Sequence, residues 1–325
     1  MKVSVIGLGT NNFGNPQRQH APRRFGISDP SQSVAVVHAA LDSGVNFIDT
    51  ADLYGDGRSE EHIGLALKGR RDEAIIGTKF NLARLEDESI AQRINRSVDA
   101  SLKRLGTHYI DLYQLHFPVR DLPQEAVLEP LAKVVEAGKV RAVGACNYAG
   151  WRHAMADAAS EKGGYPRFVS AQNYYNVLRR QVEAELLPFC TERGVGFLPY
   201  FPLAGGWLTG KYKPADTPSS DSRRMVTQLQ KDEAAWRVLE ALTAFAGERG
   251  HTILELAFAW LLAHPATSSV IAGAMSPEQV TANAAASDWV LTDEERDAVD
   301  AIARWDGTDE EIEGFGPGFP QVRIR

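Results

Sequence analysis

Cysteine is nearly missing from this chain, with two in 325 residues, Cys146 and Cys190. They lie far apart and form no paired spacing, which excludes a disulfide scaffold and a thiolate metal site and suits a reducing compartment. Long apolar runs are missing too, so no segment reads as a membrane span. The start Met1-Lys2-Val3-Ser4-Val5-Ile6 is soon broken by Gly and Asn and lacks the layout of a secretory leader. Positive charge is not in excess: Asp and Glu outnumber Lys and Arg by 42 to 35, a net charge of -7. That balance argues against a nucleic-acid or anionic-membrane surface. The expectation is a soluble cytoplasmic chain.

Hydrophobic content of 44% is ample for a large core. Short β-branched runs alternate with amphipathic helical stretches throughout. Strands are expected at Val3–Leu8, Asn46–Asp49, Ala74–Lys79, Ile110–Leu115, Ala142–Ala145, Phe168–Gln172, Gly196–Pro199 and Ser269–Ile271. None alternates cleanly, as befits parallel strands buried on both faces. Helices are expected at Ser31–Ser43, Ser59–Leu67, Ser89–Leu105, Pro123–Ala137 and Val182–Arg193, with two more around Thr252–Ala263 and Thr292–Ala303. Ser31 is a candidate cap, and Gly44, Gly106, Gly138 and Gly194 stand where helices would end. Eight strand-then-helix units in sequence imply an α/β fold, a (β/α)8 TIM barrel, and the absence of a composition break implies one domain over 1–325. Three stretches exceed the bare barrel: a basic connection Asn11–Pro30 carrying Arg18, His20, Arg23 and Arg24, a long loop Phe201–Lys231, and a tail from Gly307 to Arg325.

Four polar residues close or follow the early strands. Asp49 ends the second, Tyr54 follows in its turn, Lys79 ends the third and His116 follows the fourth. In a parallel barrel all four meet at the C-terminal rim, where the fold carries its chemistry. A phenol in water has a pKa near 10 and donates poorly at neutral pH; a nearby ammonium lowers that value. A carboxylate keeps the ammonium charged in a desolvating pocket, and an imidazole can orient a substrate oxygen. Singly, an Asp at a strand end reads as a turn or cap, a His as packing and a Tyr as a rim aromatic. A lysine continuing a buried strand needs an anion or water beside it, and the set reads as a proton-handling site. Gly7-Leu8-Gly9 with Gly14 suggests a dinucleotide fingerprint, but Asn12 holds the third glycine position and the next helix starts well downstream. The two glycines are read instead as letting the first strand pass close to a ligand.

Phe47-Ile48-Asp49-Thr50-Ala51-Asp52-Leu53-Tyr54-Gly55, with Ser59-Glu60 and Gly64, resembles the aldo-keto reductase signature. Ile76-Gly77-Thr78-Lys79 and Asp111-Leu112-Tyr113-Gln114-Leu115-His116 are similar to that family's lysine and histidine blocks. The likeness continues through Val143–Asn147, Gln172–Asn176, Pro202–Tyr212 and Val270–Asn283, nearly the whole chain in order. The closest feel is to the potassium-channel β-subunit and aflatoxin-aldehyde-reductase-like branch. The resemblance implies hydride transfer from a nicotinamide to a small-molecule aldehyde or ketone, with Tyr54 as proton donor. It implies that Cys146, Asn147 and Gln172 meet the nicotinamide carboxamide and that Tyr200 stacks on the ring. Leu203, Gly205 and Lys211 would follow the pyrophosphate, and Gly273, Ser276, Gln279 and Asn283 the adenosine end.

Three departures stand out. Cys146 replaces a frequent Ser, weakening one carboxamide contact. Ala274–Gln279 has no Arg or Lys for a 2′-phosphate, so NADPH is expected from family habit with NADH as the alternative. Relatives usually have a strand before the first barrel strand that plugs the barrel bottom. A shortened plug or an upstream start is expected here, with a cost in stability rather than chemistry. The substrate pocket is expected from Phe13, Phe25, Phe80, Phe117 and Trp207, with Phe319 from the tail. Two rival readings remain. The block Leu208-Thr209-Gly210-Lys211-Tyr212 is similar to that of potassium-channel β subunits, implying a nicotinamide-binding regulatory subunit with little turnover. The other is a barrel aldolase using Lys79 as a Schiff base.

Overall fold

The computed structural model describes residues 1–14, 26–82, 88–119, 121–213 and 224–304. Its strands and helices alternate as β1 (Ile6–Gly9), α1 (Pro30–Asp42), β2 (Phe47–Asp49), α2 (Arg58–Ala66), β3 (Ile75–Phe80), α3 (Ile90–Leu105), β4 (Ile110–Leu115), α4 (Glu125–Glu136), β5 (Val140–Cys146), α5 (Gly150–Gly163), β6 (Phe168–Gln172), α6 (Leu186–Arg193) and β7 (Gly196–Phe197). Then come α7 (Arg224–Leu229), α8 (Glu233–Gly247), α9 (Ile253–Leu262), β8 (Val270–Gly273), α10 (Pro277–Ala285) and α11 (Asp293–Ile302).

One eight-stranded sheet runs β7-β6-β5-β4-β3-β2-β1-β8, with each neighbouring pair parallel. Bridges Phe197 to Thr267 and Tyr200 to Ile271 join its two ends, closing a (β/α)8 barrel. Inside lies a buried cluster of Phe47, Leu112, Leu198 and Ile271, with Val3, Ile75, Ala142 and Tyr200 packed on it. Glycine makes room for the largest member: a Cβ on Gly7 would stand 2.8 Å from the Phe47 ring, and one on Gly77 3.0 Å. The main core fills the layer between strands and helices.

Several helix signals hold in detail. Ser89 caps α3 in a reciprocal capping box with Gln92, and Thr252 and Thr292 do the same for α9 and α11. At α1 the cap is Asp29 rather than Ser31. Its carboxylate accepts from the Ser31 N–H at 2.9 Å and the Ser31 hydroxyl at 2.8 Å, and Pro30 takes the first helical position. The expected helix Val182–Arg193 is a 3-10 turn Gln181–Glu183 followed by α6. The stretch Phe201–Lys231, read as loop, contains a 3-10 segment Ala204–Thr209 and α7. Among the described residues no helix is long and apolar enough to cross a membrane, and no His, Cys, Asp and Glu grouping could hold a metal ion.

Candidate active site

Strand ends place the four polar residues. Asp49 closes β2, and the chain turns so that the Tyr54 N–H bonds the Ala51 carbonyl at 3.1 Å. Gly55 follows at φ 59°, and a Cβ there would stand 2.7 Å from the Gly14 carbonyl oxygen, so the turn holding Tyr54 is seated against the loop after β1. Lys79 lies in β3 with its side chain inside the barrel, and the His116 N–H bonds the Phe80 carbonyl at 2.8 Å.

The Lys79 Nζ gathers the group. It donates to Asp49 Oδ2 at 2.8 Å, to the Thr50 carbonyl at 2.7 Å and to the Tyr54 hydroxyl at 3.3 Å. Burial opposes the Lys79 charge, but Asp49 and then Tyr54 outweigh it and hold its pKa above the ordinary lysine value. Burial pushes the Tyr54 phenol up to about 12; the Lys79 ammonium pulls against that rise and Asp49 adds to it. The expected lowering by lysine is therefore present in sign and exceeded by desolvation. Burial, then Lys79, hold His116 well below the usual histidine range, so its ring is neutral. That ring meets Tyr54 edge to face, with centroids 5.7 Å apart.

A second set of polar bonds adjoins the first. Gln172 Nε2 donates to Asp49 Oδ1 at 2.8 Å, and the Cys146 thiol lies 3.5 Å from Gln172 Oε1. Burial raises the Cys146 pKa, keeping it a neutral thiol. Asn147 Nδ2 donates to the His116 carbonyl at 2.9 Å, while its Oδ1 accepts from the Tyr200 hydroxyl at 2.7 Å. The Tyr200 ring is backed by Tyr174, nearly parallel at 5.7 Å.

These groups line a cavity of about 440 Å³. Its wall includes Tyr54, His116, Asn147, Gln172 and Tyr200, together with Leu203, Gly205, Gly206, Thr209 and Lys211 from the stretch after β7. Gly273 and Met275 before α10, and Gln279 and Asn283 within it, also line the cavity. Chemically, an aromatic face beside two primary amides can hold a flat heteroaromatic amide. A lysine on a glycine turn (Gly205 φ 71°, Gly206 φ 104°) and a helix N-terminus suit anionic groups further along.

Of the sequence-expected residues, Asp49, Tyr54, His116, Asn147, Gln172, Tyr200, Leu203, Gly205, Lys211, Gly273, Gln279 and Asn283 line this cavity. Lys79 lies buried behind Asp49 and Tyr54, Cys146 lies behind Gln172, and Ser276 caps α10 through the Gln279 N–H. Of the expected aromatic cup, Phe13, Phe80, Phe117 and Trp207 are not among the residues lining this cavity. Phe13 is fully buried beside the Phe13–Ile27 bridge, Phe80 stacks on Tyr113 at 4.7 Å, and Trp207 packs on Tyr212 and Trp236. Phe117 stacks on His116 at 4.4 Å, and Phe25, the arginines of the first loop and Phe319 lie outside the described residues. Phe80 could have been excluded from the sequence, since it follows the inward Lys79 and strand side chains alternate. Asn11, Asn12 and Met275 line the cavity without having been singled out for it. Asn12, read only as spoiling a fingerprint, donates to the Ala274 carbonyl at 2.8 Å and so ties the loop after β1 to the loop after β8.

Residues 5–304 match the Aldo/keto reductase family. The chain is similar to the aldo-keto reductase YhdN of Bacillus subtilis, at 33% identity over 93% of this chain and 90% of the relative. It is also similar to a probable voltage-gated potassium channel subunit beta of Arabidopsis thaliana, at 31% identity over 89% of this chain and 88% of that one. Among solved structures, an aldo-keto reductase from Klebsiella pneumoniae in complex with NADPH superposes with a TM-score of 0.72 at 29% identity, covering 93% of this chain and 91% of its own. With a matching family model over most of its length and a reductase barrel rim at its centre, the chain belongs to the Aldo/keto reductase family of oxidoreductases.

Proposed function

We propose that this protein is an NADPH-dependent reductase that converts small aldehydes or ketones to alcohols, with Tyr54 as the proton donor. The observation that carries the reading is the Lys79 ammonium, buried and bonded at once to Asp49 and to the Tyr54 hydroxyl, both of which line the cavity. NADPH is favoured because the similar Klebsiella structure holds it. The residues present fit such a group: one cavity brings together amides and an aromatic face, a lysine with a glycine turn, and further amides at a helix start.

When bound, a reduced nicotinamide would supply the hydride for the carbonyl carbon. Everything else falls to the chain's own side chains. Asn147 and Gln172 would hold the carboxamide and the Tyr200 face the ring, while Leu203, Gly205 and Lys211 would receive the pyrophosphate. Gly273, Gln279 and Asn283 would surround the adenosine, beside the helix start that Ser276 caps. The neutral His116 donates a hydrogen bond that orients the substrate oxygen, and Tyr54 gives that oxygen its proton as it gains charge. The resulting phenolate lies against Lys79, whose charge Asp49 maintains. The product is the alcohol, with one hydride on carbon and one proton on oxygen. Mixing the protein with NADPH and an activated aromatic aldehyde is expected to consume reduced-nicotinamide absorbance and yield the alcohol. NADPH binding with no turnover across a panel of aldehydes and ketones would contradict the reading and favour a regulatory role.

A further inference from the structure

The turn that carries Tyr54 is fastened to β3 twice, and both fastenings run through Lys79. Its ammonium donates to the Thr50 carbonyl at 2.7 Å and to the Tyr54 hydroxyl at 3.3 Å. Its backbone carbonyl accepts from the Asp52 N–H at 3.1 Å. The Asp52 side chain lies among charged and titratable groups of three elements: Glu60 from α2, Arg93 and Arg104 from α3, and Tyr113 from β4. Neither cation is free to serve it. Arg104 donates to one Glu60 oxygen at 2.6 Å, and Arg93 pairs with Glu88 at 2.8 Å. The other Glu60 oxygen accepts from the Thr78 hydroxyl at 2.6 Å. Asp52 Oδ1 is buried and meets no donor among the described residues, and the Tyr113 hydroxyl is likewise unpartnered. A carboxylate left without a donor or a cation, beside a second carboxylate, is costly to keep there, so the pocket favours the neutral acid.

We propose that Asp52 is a positioning residue whose neutral acid form holds the Tyr54 turn against Lys79, so that loss of its proton loosens the turn and slows reduction. The proposal rests on the reductase reading above and adds a pH response to it. Asp52 gives nothing to the substrate; Tyr54 remains the donor. As a residue Asp52 is only partly covered, so its carboxylate, once formed, has a way out to water. It stands two residues before Tyr54, and its own N–H holds the Lys79 carbonyl. The backbone that follows it outward is therefore the backbone that sets the Tyr54 hydroxyl beside the Lys79 ammonium. The groups nearest the reaction keep their charge through neutrality. Burial holds the His116 ring neutral and the Tyr54 phenol up at about 12, while Asp49 keeps Lys79 above the ordinary lysine value.

The test is the single-turnover reduction rate of an activated aromatic aldehyde at saturating NADPH, followed from pH 6 to pH 8 in wild type and in Asp52→Asn. NADPH affinity is titrated by fluorescence on the same samples. With the Asp52 carboxyl raised to about 7, a turn that works only in the protonated form gives a rate about tenfold lower at pH 8 than at pH 6. Asp52→Asn is neutral at every pH, and its rate is expected to stay within about twofold across that range. NADPH affinity is expected to follow one course in both proteins, because the change lies in the turn and not in the cofactor cavity. A flat wild-type profile, which needs no variant, overturns the proposal. So does an equal fall in both proteins, or a wild-type fall matched by a loss of NADPH affinity, which marks a general loosening of the fold. Each of these leaves the reductase reading intact, whereas a wild type with no turnover at any pH ends that reading and this one with it.

Discussion

Replacing Lys79 by Met puts the buried pair to its hardest test. The Lys79 and Asp49 side chains are 1% and 4% exposed, so neither charge has appreciable access to water. Met fills most of the volume and removes the charge, leaving Asp49 with Gln172 as its remaining side-chain donor. Breaking one side of such a pair costs about 3–5 kcal/mol, chiefly the desolvation of the abandoned ion. Removing both charges together, as Lys79→Met with Asp49→Leu, is expected to restore most of that loss, because an apolar pair of similar size is close to neutral. Urea unfolding of wild type, both single variants and the double gives the coupling. The same Lys79→Met protein also loses the cation that opposes the burial-driven rise of the Tyr54 pKa, so turnover is expected to fall at least about a hundredfold. A cost below about 1 kcal/mol for Lys79→Met, or a double variant no more stable than that single one, would refute the claim that Asp49 is desolvated and paired.

Two further predictions concern the turn that carries Tyr54. Burial, and then Glu60, raise the Asp52 carboxyl from 3.8 to about 7, because Glu60 already accepts from Thr78 at 2.6 Å and from Arg104 at 2.6 Å. The folded protein then holds a proton that the unfolded chain has released, so this group's stabilisation is complete below about pH 4 and is lost as pH rises through 7. Asp52→Asn is expected to gain about 4 kcal/mol relative to wild type between pH 4 and pH 8 in unfolding titrations, and parallel pH curves would contradict this. Gly55→Ala would force a Cβ to within 2.7 Å of the Gly14 carbonyl at a φ of 59°. About 2 kcal/mol of stability is expected to go with it, together with a fall in kcat that exceeds any change in cofactor affinity.

The barrel and its rim were legible because parallel strands leave a simple mark: short β-branched runs, three of which lead straight to Asp49, Lys79 or His116. Asp49, Lys79 and His116 meet since closure of the sheet brings β2, β3 and β4 side by side. What did not read through was direction and partnership. Phe80 and Trp207 are aromatic and adjacent to the site in sequence, yet the pleat sends one to Tyr113 and α8 claims the other through Trp236. The helical content of Phe201–Lys231 was hidden by its glycines. Leu203 and the Ala204–Thr209 turn pack through Trp207 and Leu208 on partners far along the chain, among them α9. Asn12 was not singled out as a tie between loops because that role lies in a bond to Ala274, 262 residues away, which no local motif encodes.

The most direct measurement on the central claim is the single-turnover reduction rate of Tyr54→Phe at saturating NADPH. The variant keeps the ring against His116 and removes only the hydroxyl that Lys79 meets at 3.3 Å. If Tyr54 delivers the proton, NADPH should bind as to wild type while the rate falls by about 10² to 10⁴. An unchanged rate with intact binding would show that the proton comes from elsewhere.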